Sequence, residues 1–372
     1  MRLLLATQNF GPAIGGIEQY CNALARALVE EGASVTVLAP AHPEAAAHDA
    51  AFPCDVIRYG SFAAKELGLA AALLEQRGAG FDALVCLQWT SALLPALRSD
   101  TRLAIVCHGK EVMPLSQRAL RARAEQLVRA QVLARADHVI AVSTFTAEHA
   151  VAAGARVERT HVINPGVDTA QYAAAAASKL ETGARKRPLL LTVARLVERK
   201  GIDTVLKALP EIAEQHPGVR YAIAGEGADR ARLDGLIAQL GLHERVEWLG
   251  YVSRAALGPL YASADLFVLP SRSIPERADI EGFGLVLLEA QACGTPVIAA
   301  RSGGMPDAVH DGVSGVLVPP SDPAALARAA SALLADDAKR AHMGRAALAF
   351  AASKTWRATA RGMLDVLSRP LR

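Results

Sequence analysis

The feature that most constrains this chain is a repeated alternation of short apolar runs with longer amphipathic segments. At its start, an apolar run at Leu3–Thr7 leads through a glycine-containing loop into Ile17–Glu31, where apolar residues recur at helical spacing, and then into a second apolar run at Ser34–Ala39. This order predicts strand, loop, helix and strand. Apolar strands separated by helices form parallel sheets, so the pattern predicts an α/β fold.

The alternation runs in two series. The first continues with strands predicted at Ala83–Leu87, Leu103–His108, His138–Ser143 and His161–Ile163. The second predicts strands at Leu189–Val193, Arg220–Ala224, Val246–Leu249, Leu266–Leu269, Pro296–Ala299 and Gly315–Leu317. A chain of 372 residues exceeds what one hydrophobic core usually serves. Two doubly wound domains with a cleft between them are therefore expected.

The domain boundaries follow from the segments that lack this pattern. An alanine-rich stretch with clustered Arg and Lys has no clear core periodicity, which predicts a linker at 171–188. The first domain then spans 1–170 and the second 189–354. The amphipathic segment at 355–372 is predicted to be a helix that packs back on the first domain.

Composition narrows the class of protein. The net charge is only +3 and no basic stretch is interleaved with aromatic residues, which argues against a nucleic-acid partner. No apolar stretch reaches the ~18 residues of a membrane span, and the first residues are typical of a buried strand rather than a signal peptide. Five scattered cysteines favour reduced thiols over disulfides or a metal site. A cytoplasmic location is expected.

In open parallel sheets, ligands bind beyond the carboxyl ends of the strands. After the first strand, Gly15 and Gly16 precede a helix, where paired glycines permit close approach to a phosphate or sugar. Their spacing is not that of a dinucleotide-binding loop, and a turn that needs positive φ is the alternative. His108 ends another strand of the first domain. Its neutral imidazole could bond a sugar hydroxyl, or it could be a satisfied structural histidine.

Two cations follow the first strand of the second domain. Arg195 and Lys200 lie five residues apart, just before a helix that begins with glycine. A guanidinium supplies paired donors and an ammonium a compact charge, a combination suited to a diphosphate. The alternative is an ordinary solvated surface.

Two carboxylates, Glu281 and Glu289, stand eight residues apart around a glycine turn. On one helix they would be roughly 12 Å apart, too far to share a proton or a metal ion. The glycines instead predict that Glu281 lies in a loop and Glu289 in the following helix, with the free N–H groups of the helix start between them. Such a site suits a polar, anionic, elongated ligand. From these residues alone, a catalytic acid and base pair stays an open alternative.

Taken in order, these motifs resemble a known family nearly end to end. The chain resembles the retaining glycosyltransferases of family 4, which have the GT-B fold of two Rossmann-like domains. The motifs are Gly15-Gly16, His108-Gly109, Asn164 to Asp168, Arg195 with Lys200-Gly201, Gly225-Glu226-Gly227, Glu281-x7-Glu289 and Gly303-Gly304. The loop at 272–280 and the segments at 107–112 and 289–292 are most similar to the phosphatidylinositol-mannoside mannosyltransferases that use GDP-mannose.

The resemblance implies transfer of a hexose from a nucleotide sugar to a glycan or lipid-linked acceptor, with no cofactor or metal. It implies that Arg195 and Lys200 hold the donor diphosphate and that Glu289 binds the ribose. Glu281 and the backbone amides of Phe283, Gly284 and Leu285 would hold the sugar, while His108 faces it from the first domain. The sequence has no Asp-x-Asp pair for a metal. Because the resemblance assigns Glu281 and Glu289 to donor binding and not to a nucleophile, it also implies a front-face substitution, in which a leaving phosphate oxygen takes the acceptor proton.

Alternatives stay open at this point. Enzymes that use UDP-glucose or UDP-N-acetylglucosamine share the same motifs, and a sugar-nucleotide epimerase uses the same fold. A non-enzymatic sugar-nucleotide-binding protein and a two-domain dehydrogenase fit the motifs less well. Finally, the basic amphipathic segment at 115–135 is typical either of peripheral membrane contact or of a surface helix whose Arg stems cover the core.

Overall fold

The computed structural model describes the whole chain except residues 14, 61–64, 77, 99–100, 115–119, 182–186 and 371–372. The chain divides into two compact units. The first contains Met1–Pro165 together with Trp356–Arg372, and the second contains Gly166–Thr355.

In the first unit, seven of the described strands form one parallel sheet in the order β3-β2-β1-β4-β5-β6-β7. They are β1 (Arg2–Ala6), β2 (Ser34–Pro40), β3 (Asp55–Tyr59), β4 (Ala83–Cys86), β5 (Arg102–Cys107), β6 (His138–Ala141) and β7 (Thr160–Val162). The helices are α1 (Gly16–Glu30), α2 (Ala45–Ala50), α3 (Lys65–Glu75), α4 (Pro95–Arg98), α5 (Leu120–Arg135), α6 (Thr144–Ala152) and, at the end of the chain, α14 (Trp356–Ser368).

In the second unit, six of the described strands form a parallel sheet in the order β10-β9-β8-β11-β12-β13. They are β8 (Leu189–Val193), β9 (Arg220–Ala224), β10 (Val246–Gly250), β11 (Leu266–Leu269), β12 (Val297–Ala300) and β13 (Gly315–Val318). The helices are α7 (Thr169–Glu181), α8 (Ile202–Gln215), α9 (Arg230–Gln239), α10 (Arg254–Ser263), α11 (Leu285–Ala292), α12 (Pro323–Ala335) and α13 (Asp337–Ser353).

Each sheet reverses its strand order once, between β1 and β4 in the first unit and between β8 and β11 in the second. Loops diverge where the order reverses, and ligands of doubly wound sheets bind at that point. The predicted α/β class and two parallel sheets are therefore confirmed, and the segments after these strands are where a site is expected.

Strand β3 was not predicted. Its sequence, DVIRY, includes two charged residues, and it pairs with β2 at the edge of the sheet. Arg58 within it forms an ion pair with Asp49 at 2.6 Å. An edge strand need not be apolar throughout, so the pattern that identified the other strands is absent here.

The predicted linker at 171–188 is wrong over most of its length. Residues 169–181 form α7, which packs against α10, α11 and α13 within the second unit. Tyr172 and Ala176 are buried in that contact. Alanine favours a helix and small side chains can pack closely, so the segment is helical although its apolar periodicity is weak. Residues 182–186 of the predicted linker lie outside the described residues.

The last helix, α14, packs against α1 of the first unit. The ring of Trp356 meets Tyr20 edge to face, with centroids 5.5 Å apart. Arg361 adds an ion pair to Glu31 at 2.6 Å. In the part of the chain that the structure describes, no helix is long and apolar enough to cross a membrane.

Candidate active site

The two predicted cations of the second unit lie on the connection between β8 and α8. Residues Glu198–Lys200 form a single 3-10 turn, and Gly201 follows it in the left-handed conformation with φ 70°. A Cβ atom on Gly201 would lie 2.1 Å from the carbonyl oxygen of Pro270, so only glycine fits there. The turn is thereby held against the segment that follows β11, at the point where the strand order reverses.

Glu281 is held by two cations of that turn. Its Oε2 atom accepts hydrogen bonds from Lys200 Nζ and from Arg199 Nη1, each at 2.5 Å. Arg199 Nε also lies 3.1 Å from Asp279 Oδ1. Burial raises the pKa of Glu281, but the charges of Lys200 and Arg199 outweigh it and lower this pKa to about 2. The side chain is therefore an ionised anchor and not a proton donor at neutral pH.

Arg199 was not among the predicted site residues. Its position beside Lys200 was visible in the sequence, but an arginine next to a lysine gives no sign of which one is buried. The structure buries both, each with 8% of its surface exposed. Arg195, by contrast, is exposed, and no carboxylate of the described residues forms an ion pair with it. The exposed Arg195 is thus the cation of this segment that a bound anion can reach without displacing a carboxylate.

The glycines of Gly225-Glu226-Gly227 support the Arg195 segment. A Cβ atom on Gly225 would lie 1.9 Å from the Ala194 carbonyl oxygen, and one on Gly227 would lie 2.3 Å from the Leu196 carbonyl oxygen. The Leu196 N–H donates to the Glu226 carbonyl at 2.8 Å. Close backbone packing therefore accounts for these glycines without a dinucleotide.

A second glycine pair fixes the backbone of Glu281. Gly303 has φ 56°, and a Cβ atom there would lie 2.3 Å from the Glu281 carbonyl oxygen. The Gly304 N–H donates to that same oxygen at 3.0 Å. The motif Gly303-Gly304, which follows β12, thus packs against the backbone of the Glu281 loop.

Glu289 lies on α11, as predicted, and is buried with 3% of its surface exposed. The Tyr261 hydroxyl donates to its Oε2 atom at 2.8 Å. Tyr261 is 28 residues away in sequence, and no local signal connects the two. Glu281 and Glu289 therefore have separate partners, so the alternative of an acid and base pair finds no support here. The ribose role of Glu289 stays a prediction.

Phe283, Gly284 and Leu285, three of the seven residues between these glutamates, mark the start of α11. Gly284 precedes the helix with φ 92°, a left-handed conformation that favours glycine. Phe283 is buried, and Leu285 is half-buried at the first helical position. N–H groups at a helix start have no partner within the helix and are suited to anions or sugar hydroxyls.

His108 lies in the first unit, directly after β5. Its Nε2 atom is 2.9 Å from the Leu87 carbonyl oxygen, and Tyr20 meets its ring edge to face at 4.8 Å. Burial lowers the pKa of His108, so the imidazole is neutral at pH 7. Because Nε2 donates to a carbonyl, Nδ1 of the neutral ring is a hydrogen-bond acceptor. The backbone N–H of His108 donates to the Glu111 carboxylate.

The glycines before α1 are not required by the backbone conformation. Gly15 has φ 174°, an extended value that any residue adopts, and Gly16 is the first residue of α1. A Cβ atom on Gly16 would have nothing within 4 Å. The positive-φ alternative is thus wrong for Gly15, and close approach of a ligand stays a prediction for both.

All five cysteines carry free thiols, and four of them are buried. Across the described residues, no three His, Cys, Asp or Glu side chains come together as metal ligands would.

A comparison with characterised proteins covers almost the whole chain. The chain is 32% identical to a GDP-mannose-dependent α-(1-6)-phosphatidylinositol monomannoside mannosyltransferase of Mycolicibacterium smegmatis, over 98% of each chain. The chain belongs to the group 1 glycosyltransferases. Residues 177–350 match the family model "Glycosyl transferases group 1", and residues 14–171 match "Glycosyltransferase Family 4".

Solved structures of similar proteins agree with this family. The structure of HepE from Anabaena in complex with UDP superposes with a TM-score of 0.80 at 25% identity, covering 99% of this chain and 100% of that one. Sucrose-phosphate synthase from Thermosynechococcus elongatus superposes with a TM-score of 0.78 at 26% identity, covering 98% of each chain. This group 1 glycosyltransferase is thus an enzyme with the GT-B fold of two Rossmann-like domains, and the predicted family, fold and enzyme class are confirmed.

Proposed function

We propose that this group 1 glycosyltransferase is a mannosyltransferase that moves mannose from GDP-mannose to a lipid-linked or glycan acceptor, with retention at the anomeric carbon and without a metal ion. The observation that carries the donor assignment is the similarity over 98% of the chain to a GDP-mannose-dependent mannosyltransferase. The structure contributes a site where charges suit a sugar diphosphate.

The net charge of the site supports the proposal that the donor diphosphate binds at the segment from Arg195 to Lys200. Lys200 and Arg199 balance Glu281 and Asp279, and the exposed Arg195 leaves an excess of one positive charge. A preorganised cation stabilises the charge that develops on a leaving diphosphate. Arg195 would bind the diphosphate directly, and Lys200, which Glu281 holds on the same β8–α8 connection, would face the same oxygens.

The front-face step needs no carboxylate nucleophile. In this step the acceptor oxygen forms a bond to the anomeric carbon while the bond from that carbon to the diphosphate oxygen breaks. The acceptor proton moves to a phosphate oxygen of the leaving group. Two observations favour this route over a glycosyl-enzyme: Glu281 is paired with two cations, and Glu289 is buried against Tyr261.

The neutral His108 would accept a hydrogen bond at Nδ1 from a hydroxyl of the donor sugar. Its hydrogen bond to the Leu87 carbonyl fixes the ring and its tautomer. Glu281 and the N–H groups at the start of α11 would hold other hydroxyls of that sugar, and Glu289 would bind the ribose.

A donor panel tests the proposal. GDP-mannose, UDP-glucose, UDP-galactose and UDP-N-acetylglucosamine are each incubated with the enzyme, with and without EDTA, and sugar release is measured. We expect release from GDP-mannose that is insensitive to EDTA, and α-mannose as the first anomer seen by NMR, before the two anomers equilibrate in water. Release from a UDP sugar instead would favour the UDP-sugar donors, for which the similarity to HepE bound to UDP is the supporting observation. Epimerised donor in the absence of acceptor would identify an epimerase.

For the acceptor side, we propose contact with the apolar part of a lipid through α5. A groove of about 550 Å³ lies beside this helix, lined by Leu93, Leu94, Leu127, Val128, Val132, Gln131 and Arg135. Leu127 is 70% exposed and Val128 is 46% exposed. The exposed Arg123 and Arg135 lie on the same helix and would attract anionic headgroups. The first part of the predicted basic segment, 115–119, lies outside the described residues.

Vesicle co-sedimentation tests this contact. Wild type is compared with L127E and with V157E, because Val157 is also 70% exposed in the first unit but is not one of the residues that line the groove. We expect L127E to lose binding to anionic vesicles while V157E keeps it. The proposed lipid contact would be excluded if all three proteins bound the vesicles equally, or if wild type did not bind them at low salt.

A further inference from the structure

An ion pair between the buried Asp203 and the half-buried Arg272 lies beside the turn that carries Lys200. Asp203, in the first turn of α8, accepts two hydrogen bonds from Arg272, at 2.8 Å from Nη1 and 3.1 Å from Nη2. The Asp203 side chain is 8% exposed and that of Arg272 is 16% exposed. This is the paired geometry in which arginine binds carboxylates most specifically.

Arg272 also joins the turn through its backbone. Its N–H donates to the Arg199 carbonyl oxygen at 2.7 Å. Two residues earlier, the Pro270 carbonyl oxygen lies so close to Gly201 that no side chain fits there. The segment 270–272 therefore contacts the chain just before Lys200, just after it, and again at Asp203.

The same segment leads to the carboxylates that Arg199 and Lys200 bind. Beyond Arg272, Ile274 and Asp279 exchange two backbone hydrogen bonds, at 2.9 and 3.2 Å, and Glu281 follows two residues later. The contacts of Arg272 thus set the spacing between the turn and the loop that carries its anionic partners.

We propose that Arg272 and Asp203 are positioning residues that fix Lys200 against Glu281. The consequence for the donor diphosphate rests on the proposed function, whereas the consequence for the position of Lys200 does not. Lysine in place of Arg272 keeps the positive charge but lacks the planar pair of donors, so it cannot hold Asp203 and the turn in the same way.

The test compares R272K with R340K. Arg340 is a matched control because it is 11% exposed and its Nε atom lies 3.6 Å from Asp265, which directly precedes β11. Arg272 follows the opposite end of that strand. We expect both variants to have a similarly lowered Tm, but only R272K to lose kcat/KM toward the donor, by roughly 10²-fold, as misplacement of a catalytic group by about 1 Å does. Equal losses of activity in the two variants, or none in R272K, would overturn the proposal.

Crystal structures of the two variants test the position of Lys200 directly, without an activity measurement. In R272K we expect Lys200 Nζ to move beyond hydrogen-bond distance from Glu281 Oε2, while R340K keeps the wild-type 2.5 Å. An unchanged distance in R272K would show the proposal to be wrong. If wild type releases sugar from no donor, the proposed function fails and this comparison still decides the role of Arg272. If R272K does not fold, D203N compared with D265N is judged by the same two criteria.

Discussion

Glu281 Oε2 lies 2.5 Å from Lys200 Nζ, although the two residues are 81 positions apart in the sequence. The contact joins the segment after β8 to the segment after β11, at the point where the strand order of the second sheet reverses. It fixes the ammonium of Lys200 on the same connection that carries the exposed Arg195, where the diphosphate of a sugar nucleotide is proposed to bind.

Replacing Lys200 by alanine tests whether this ammonium contributes to the transfer reaction. We expect K200A to lower kcat/KM by ~10² or more, because a preorganised charge for the leaving diphosphate is lost. Initial rates over a range of donor concentrations give the value. The matched control is K339A, at an exposed lysine on α13. Wild-type kcat/KM in K200A would refute the diphosphate role.

The low pKa of Glu281 predicts how stability depends on pH. Because its folded pKa is about 2 and its ordinary value is 4.5, its contribution is present above pH 4.5 and is lost as the pH falls toward 2. E281Q should be destabilised by about 3 kcal/mol at pH 7, since two buried cations lose the negative charge that they share. Urea unfolding from pH 7 to pH 3 should show this difference shrinking below pH 4.5. The control E247Q, in an exposed pair with Arg220, should change stability by less than about 0.5 kcal/mol. A difference that is constant with pH would contradict the assignment.

Glu289 is predicted to bind the ribose and not the diphosphate. E289A should weaken the binding of GDP by about 10-fold or more while leaving inorganic pyrophosphate unaffected, because a hydrogen bond to a charged group contributes about 1.5–3 kcal/mol. Calorimetry with both ligands separates the two effects, and E244A at an exposed site is the control. Unchanged GDP affinity would count against the ribose role, and weakened pyrophosphate binding would indicate a general disturbance of the site.

The low pKa of His138, in the first unit, predicts a second dependence of stability on pH. Burial, and then the neighbouring His161 and Arg102, lower its pKa from 6.5 to about 4. The unfolded chain therefore binds a proton more readily than the folded one, and stability should fall as the pH drops from 6.5 to 4. H138Q should show a smaller fall over this range in thermal unfolding, whereas the exposed control H243Q should behave as wild type. The same slope in H138Q and wild type would exclude His138 as its cause.

Much of this structure follows from local sequence patterns. The described strands other than β3 coincide with predicted apolar runs, because both faces of a central parallel strand are buried. The glycines at Gly201 and Gly284 were visible as breaks before helices, and Gly303 was visible as a motif of the resemblance, since a left-handed or tightly packed backbone admits little else. The sequence also identified Lys200, Glu281 and Glu289 as candidate site residues, through the resemblance and through their places after strands.

Contacts between distant segments were decided only by the tertiary structure. The hydrogen bond from Tyr261 to Glu289, the second cation on Glu281 and the Asp203–Arg272 pair join residues 28, 82 and 69 positions apart. Helix α7 likewise acquires its buried face only from the helices packed around it. Periodicity reports which face of one element is apolar, but not which side chain of another element meets it. The sequence by itself therefore determined the elements and the candidate residues, and packing decided which charges neutralise one another and which, such as Arg195, stay exposed.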